Sequence, residues 1–168
     1  MCITRSQVRA SVEQVAAQIN RDYAGKEILF LAVLNGAFVF AADLIRKIKT
    51  PCRISFVKVA SYQGDSSEGI IRELIGLTED LNGKNVILIE DIVDTGFTLE
   101  HVMNQIRTNY NPASIAVASL LFKPQSYRKN IVLNYVGIEI PNDFVVGCGL
   151  DYNGFGRNLE EIYVMVNG

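Results

Sequence analysis

One stretch, KNVILIEDIVDTGFTLEHVM (84–103), constrains the fold more than any other part of the sequence. It begins with the apolar run 86–89, which is typical of a strand buried on both faces in a parallel sheet. Three carboxylates and a Thr-Gly turn follow. Apolar residues then recur at helical spacing: Leu99, Val102, Met103, Ile106 and Tyr110. This order predicts a ligand site, because ligands in open α/β sheets bind outside the carboxyl ends of the strands, against helix N-termini.

The acids and the turn predict different duties. Glu90 and Asp91 leave the strand end, where paired carboxylates can hold sugar hydroxyls or a hydrated Mg²⁺. The segment Asp94-Thr95-Gly96-Phe97-Thr98 can wrap a phosphate, because it offers free backbone N–H groups, two hydroxyls and a glycine. A ribose phosphate suits both, because it has hydroxyls for the carboxylates and a phosphate for the turn. Two alternatives stay open: acids that only favour the helix dipole, and a Walker B-like strand, whose partner G-x-x-x-x-G-K-[ST] loop the chain lacks.

Composition predicts one domain over residues 1–168. With 168 residues, 49% of them apolar, the chain can bury a sizeable core. The formal charge of −2 argues against a surface that binds nucleic acid. Three cysteines without C-x-x-C spacing indicate reduced thiols. Without an apolar run of membrane-spanning length, we expect a cytoplasmic protein with small-molecule partners and no membrane partner.

The rest of the chain predicts further elements around the same sheet edge. Strand 27–34, the turn Leu34-Asn35-Gly36 and helix 37–49 form a second strand–turn–helix unit. The polar segment 61–69 is either a plain surface loop or a functional one. Further elements are expected at 4–22 (helix), 53–60 with one solvated face, 70–77, 114–121, 131–138 and 161–166 (strands).

The string ILIEDIVDTGFTL (87–99) resembles the phosphoribosyl-pyrophosphate (PRPP) motif of the type I phosphoribosyltransferases. The similarity continues at Leu34-Asn35-Gly36, Ser61-Tyr62, Lys123 and IEIPNDFVVGCGLDYNGFGRNL (138–159), and the last segment points to the hypoxanthine(-guanine) branch. The resemblance implies an α/β fold with a mostly parallel sheet flanked by helices, a small C-terminal hood and a flexible loop from 61 to 69 that closes over the site.

The resemblance also implies a reaction. The chain would transfer the 5-phosphoribosyl group from PRPP to N9 of hypoxanthine, and of guanine, with Mg²⁺ as cofactor. The products would be IMP or GMP and pyrophosphate, as in purine salvage, and the enzyme would be a homo-oligomer of two or four chains.

The residue roles follow from the same resemblance. Glu90 and Asp91 would hold the ribose, residues 94–98 the 5′-phosphate, and Asp94 would be the general acid/base near purine N7. The other implied sets are Asn35, Gly36, Ser61, Tyr62 and Arg157 for pyrophosphate; Lys123, Phe144, Val145 and Asp151 for the purine; and Asp151, with Glu90 and Asp91, for Mg²⁺.

Plainer interpretations stand beside these roles. A lysine at a strand end, such as Lys123, is usually solvated, and Phe144–Gly147 has the pattern of a core strand. Arg157 has the pattern of a surface charge, and residues 127–129 have the pattern of a charged surface turn. Phe97 departs from the family pattern, in which Lys or a small polar residue is common, and so leaves phosphate binding to backbone and hydroxyls. A non-enzymatic regulator that senses PRPP or a nucleotide is the rival hypothesis, and a xanthine- or guanine-preferring enzyme is the nearer one.

Overall fold

The computed structural model of the protein describes residues 2–62, 70–77 and 79–165. The helices are α1 (Arg5–Asp22), α2 (Phe38–Ile45) and α3 (Phe97–Asn109). The strands are β1 (Cys2–Ile3), β2 (Ile28–Leu34), β3 (Cys52–Tyr62), β4 (Ile70–Ile75), β5 (Asn85–Val93), β6 (Ser114–Phe122), β7 (Tyr135–Glu139), β8 (Val145–Val146) and β9 (Ile162–Val164). Of the predicted flexible loop, residues 63–69 lie outside the described residues.

The main sheet has the strand order β4-β3-β2-β5-β6-β7. Strands β3, β2, β5, β6 and β7 run parallel to one another, and β4 pairs antiparallel to β3 at one edge. The middle strands β2, β5 and β6 are buried along most of their length, as expected for apolar runs covered on both faces. The predicted α/β fold with a mostly parallel sheet and flanking helices is confirmed.

The helices cover both faces of this sheet. Helix α1 begins at a capping box formed by Thr4 and Gln7, and its apolar stripe joins α2 in the core on one face. Helix α3 packs on the other face through Leu99, Val102, Met103 and Ile106, the stripe predicted from the sequence. None of the helices in the described ranges is long and apolar enough to cross a membrane.

The chain path creates a crevice between β2 and β5. From β2 it passes through α2 to β3 on one side, and from β5 through α3 to β6 on the other. Pairing of β2 with β5 ends at Ala32↔Ile89, whereas β5 stays paired to β6 as far as Val93↔Phe122. The two carboxyl ends therefore separate from Glu90 onward, at the topological switch point where doubly wound sheets bind ligands.

A small second sheet forms beside this crevice. Strands β8 and β9 come from the C-terminal segment, and β1 pairs with β9 at the other edge. This sheet corresponds to the predicted hood, with one addition: the N-terminal strand β1 completes it.

Several predicted boundaries were wrong. Strand β5 continues through Glu90 and Asp91 to Val93, because its pairing with β6 outlasts the apolar run. Helix α2 ends at Ile45 instead of 49, and the next residues form tight turns. Strand β7 begins at 135 instead of 131, because its pairing with β6 starts at Ala118↔Tyr135.

Candidate active site

A cavity of about 330 Å³ fills the crevice at the carboxyl ends of β2 and β5. Its walls come from Val33, Leu34 and Gly36 after β2, from Val59 of β3, and from the continuous segment 90–99. The central motif therefore forms most of the lining. The 34–36 turn and the acidic segment come from separate parts of the sequence and were expected to act together. Both line this cavity.

Glu90 lies deep in the cavity wall, with only 5% of its surface exposed. Burial, and then the neighbouring charge of Asp91, raise the pKa of this carboxyl well above its ordinary value. Within the described ranges no cation pairs with it, and a buried carboxyl of this kind can donate a hydrogen bond to a polar ligand or accept one.

Asp91 lies directly against the 34–36 turn. A Cβ placed on Gly36 would collide with the Asp91 carboxylate, so any other residue at position 36 would displace that side chain. Burial raises the pKa of Asp91 to about 6, and the negative charge of Asp151 adds to this; the backbone N–H groups of Ile92 and Asp91 and the charge of Arg157 oppose it. The carboxylate thus joins three separate chain segments.

Asp94 and Lys123 form an ion pair across the end of the sheet. Lys123 Nζ donates to Asp94 Oδ2 at 2.9 Å, and the Lys123 backbone N–H donates to the carbonyl of Val93 at 2.9 Å. Burial alone would raise the pKa of Asp94, but Lys123, through its hydrogen bond and its charge, and the nearby Ser126 hydroxyl lower it. The interpretation of Lys123 as solvated is wrong, since it is 7% exposed.

The segment 94–98 forms the mouth of the cavity and the start of α3. Gly96 occupies the N-cap position with a left-handed φ of 87°, and no described side chain caps the helix. The first N–H groups of α3 are therefore free to bind an anion, and the helix dipole favours one there. Thr95, Gly96, Phe97 and Thr98 all line the cavity, as expected for a phosphate loop.

Hood residues approach the same place from the other side. Arg157 donates to the carbonyl of Gly149 at 2.8 Å and pairs with Asp151 at 2.5 Å, while the Gly154 N–H donates to Asp151 at 2.7 Å. Gly149, at a φ of +97°, packs so closely on the Gly36 carbonyl that a Cβ would collide with it. Asp151 and Arg157 therefore adjoin Asp91 and the 34–36 turn.

The remaining predicted site residues are placed as follows. Asn35 is exposed and follows a cis Leu34–Asn35 peptide bond. Ser61 and Tyr62 end β3, and their side chains lie outside the description. Phe144 is 53% exposed with its ring 5.8 Å from that of Tyr152, and Val145 turns its side chain into the core while its backbone pairs in β8.

Two contacts at the site were missed from the sequence. Gly149 positions the hood against Gly36, and Ser126 donates a 2.7 Å hydrogen bond to Asn142 beside the Asp94–Lys123 pair. The two closely spaced glycines of GCGLDY were the one sequence signal for the contact of Gly149 with Gly36, because such glycines favour left-handed turns. The second joins residues 16 apart and has no local signal.

The donor chemistry fits Mg²⁺ if a substrate supplies further oxygens. No group of three or more metal-binding side chains occurs among the described residues. The negative charge of Asp151 contributes to the raised pKa of Asp91, so a hard cation between substrate and carboxylate would relieve that repulsion. Mg²⁺ in phosphate-transfer sites is held in this way, by one or two carboxylates plus substrate oxygens.

Comparison with known proteins matches this geometry to a family. The Phosphoribosyl transferase domain model matches residues 4–153. The chain belongs to the phosphoribosyltransferase family. It is 40% identical to the hypoxanthine-guanine phosphoribosyltransferase of Mycobacterium tuberculosis over 95% of this chain and 82% of that protein. It is 38% identical to the hypoxanthine phosphoribosyltransferase of Haemophilus influenzae over 95% and 91%, respectively.

Solved structures agree with the family assignment. A crystal structure of a hypoxanthine-guanine phosphoribosyltransferase from Bacillus anthracis superposes with a TM-score of 0.89 at 38% identity, covering 98% of this chain and 96% of that one. The matched residues include the crevice, the segment 94–98 and Asp151. The family consists of transferases, so the cavity at the end of β2 and β5 is the place to look for transfer chemistry.

Proposed function

We propose that this phosphoribosyltransferase transfers the 5-phosphoribosyl group of PRPP to N9 of hypoxanthine, and of guanine, in purine salvage. The observation that carries the proposal is the cavity at the switch point, where buried carboxylates and an uncapped helix N-terminus share one wall. Sugar hydroxyls need acceptors and a phosphate needs N–H donors, and a ribose phosphate requires both within a few ångströms. The purine part of the proposal is supported by the names of the relatives.

The ribose end of the site addresses the charge that develops during transfer. The C1–O bond to pyrophosphate breaks, a C1–N9 bond forms, and the ring carries oxocarbenium character between the two events, as in glycoside chemistry. Glu90 and Asp91 would accept hydrogen bonds from the 2′- and 3′-hydroxyls and lie beside that positive charge. Residues 94–98 would fix the 5′-phosphate through their N–H groups and hydroxyls.

The leaving group would be held where the hood meets the 34–36 turn. Backbone groups of Asn35 and Gly36, the Arg157 guanidinium and residues Ser61 and Tyr62 are the proposed partners of pyrophosphate, since a guanidinium fork suits paired phosphate oxygens. Mg²⁺ bound through Asp151, Asp91 and Glu90 would neutralise part of the diphosphate charge. In the ligand-free protein Arg157 pairs with Asp151 and is therefore already oriented.

The purine would bind between the hood and Lys123. Phe144 offers an exposed ring for stacking, and the Val145 backbone offers edge hydrogen bonds. Lys123 would donate to the 6-oxo group, which disfavours a 6-amino purine. Asp94, ionised and next to Lys123, would take the proton that the purine loses when N9 bonds to C1. The reaction would take place in the cytoplasm, and an assembly of two or four chains stays a prediction.

The test of this assignment is steady-state kinetics with hypoxanthine, PRPP and Mg²⁺. Asp94→Asn is nearly isosteric but cannot act as a base, so kcat should fall roughly a hundredfold or more while KM for PRPP changes little. Chelation of Mg²⁺ should abolish turnover, and restored Mg²⁺ should recover it. An unchanged kcat in the variant would refute the role of Asp94, and wild-type protein that binds PRPP without turnover would favour a regulator.

A further inference from the structure

The proposed phosphate loop is short of positive charge. Its wall contains Glu90, Asp91 and Asp94, and the residue at its centre, Phe97, is apolar. Lys123 is nearby but is paired with Asp94. Helix N–H groups can bind a phosphate, yet a dianion beside three carboxyl groups requires a further source of positive potential.

The segment Tyr127–Lys129 is attached to this loop by three contacts. The Arg128 N–H donates to the Thr95 carbonyl at 3.1 Å. The Tyr127 ring and the Lys129 side chain both lie against Gly96, at the positions that a Cβ would need. The expectation of a charged surface turn holds for Arg128, which is exposed, but not for Lys129, whose side chain is only 18% exposed.

The ammonium of Lys129 lies beside the first turn of α3. Its Nζ is 4.0 Å from the centre of the Phe97 ring and 2.6 Å from Glu100 Oε2. A cation near a helix N-terminus is unfavourable on its own, because that end of the dipole is positive. Glu100 and the Phe97 ring offset this cost in the ligand-free protein.

We propose that Lys129 raises the affinity of the 94–98 loop for the 5′-phosphate, and that Glu100 holds it in place and moderates its charge. The inference rests on the proposed function of the loop. Lys129 acts through the field of its ammonium and not as a catalytic residue. An added anion would interact with Lys129, with the helix N-terminus and, unfavourably, with Glu100, so the two side chains should have opposite effects on phosphate binding.

The experiment compares IMP with inosine as ligands, by calorimetry at low salt. Lys129→Met keeps the aliphatic stem that packs on Gly96 but removes the charge, and should weaken IMP binding roughly three- to tenfold. Glu100→Gln should strengthen it, and the double variant should fall between the two. Inosine has no phosphate, so its affinity should not change. Lys84→Met is the matched control, because Lys84 pairs with Glu79 at the opposite end of β5.

The outcomes separate this inference from the function on which it rests. Opposite signs for the two single variants, confined to IMP and reduced by added salt, support it. Equal losses of affinity for IMP and inosine would show a purely structural ion pair and overturn the inference. Changes of IMP affinity in the same direction in both single variants would do so as well. If the wild-type protein binds PRPP but Lys129→Met leaves IMP affinity unchanged, the inference about Lys129 is overturned and the proposed function is not. Wild-type protein that binds neither IMP nor PRPP would overturn the proposed function as well.

Discussion

At the scale of single residues, the Asp94–Lys123 ion pair links the proposed general base to the proposed purine donor, two roles that were predicted separately from the sequence. Lys123 is almost fully buried, and its charge has one described carboxylate partner, Asp94. Such a pair is costly to break from one side, because the remaining charge stays buried. A purine bound at Lys123 must therefore share the ammonium with Asp94 or take its place, so base binding and the state of the proposed general base are coupled.

Lys123→Met tests this coupling. The variant keeps most of the buried stem and removes the donor, so hypoxanthine affinity should fall roughly ten- to a hundredfold, the range of a charged hydrogen bond. PRPP affinity should stay within a factor of two or so, because no PRPP contact is lost. Titration calorimetry with each ligand measures both, with Lys84→Met as the control. Loss of PRPP affinity with intact hypoxanthine binding would refute the purine role.

Asp91 gives the ligand-free protein a pH dependence of known sign. Its folded pKa of about 6 lies above the ordinary 3.8, so between these values the folded state binds more protons than the unfolded state. The contribution of Asp91 to the free energy of unfolding should therefore fall as pH rises from about 4 to about 6, and Glu90 adds a shift of the same direction. Denaturant unfolding with a chelator present, at several pH values, measures this. Asp91→Asn should flatten the dependence, and a variant with an unchanged slope would show that another group causes it.

At the scale of elements, the hood is held against the sheet by backbone proximity. Gly149 touches the carbonyl of Gly36, Arg157 reaches the carbonyl of Gly149, and Asp91 lies on the other side of Gly36. A side chain at position 149 would collide with the Gly36 carbonyl and so separate the hood from the turn that is proposed to bind pyrophosphate.

Gly149→Ala tests this contact, and Gly154→Ala is its matched control. Both glycines have a left-handed backbone, with φ of +97° and +85°, so each substitution costs about 1 kcal/mol of backbone strain. An added Cβ meets the Gly36 carbonyl in the first case and open space in the second. Gly149→Ala should therefore raise KM for PRPP at least several-fold and lower Tm further than Gly154→Ala, as kinetics and thermal unfolding would show. Equal effects of the two substitutions would mean that the hood contact does not support the site.

Local patterns predicted the elements well and their ends less well. The stripe of α3 and the buried run of β5 are properties of neighbouring residues, and both were found where expected. The end of β5 depends on β6, which pairs with it four residues beyond the apolar run. The same reason limits prediction of the site. The segment 94–98 is continuous in the sequence, whereas the burial of Lys123 and the packing of Lys129 on Phe97 depend on another loop.

At the scale of the whole molecule, the topology explains why these segments meet. Helices α2 and α3 leave the sheet on opposite sides of the β2/β5 crevice, and the C-terminal hood lies over the turn that follows β2. The segments proposed to bind the ribose and the 5′-phosphate therefore lie at the end of β5, and the turn proposed to bind pyrophosphate follows β2. Two longer connections, 123–134 and 147–161, bring Lys123 and the hood residues Asp151 and Arg157 to the same edge of the sheet.

The most direct test of the central claim is a turnover assay with four bases in parallel. Purified protein, PRPP and Mg²⁺ are mixed with hypoxanthine, guanine, xanthine or adenine, and nucleotide formation is followed by ultraviolet absorbance. We expect turnover with hypoxanthine, and with guanine, and little with adenine, because Lys123 is proposed to donate to a 6-oxo group. Turnover with adenine alone would contradict the purine assignment, and binding of PRPP without turnover on any base would contradict the claim that this protein catalyses the transfer.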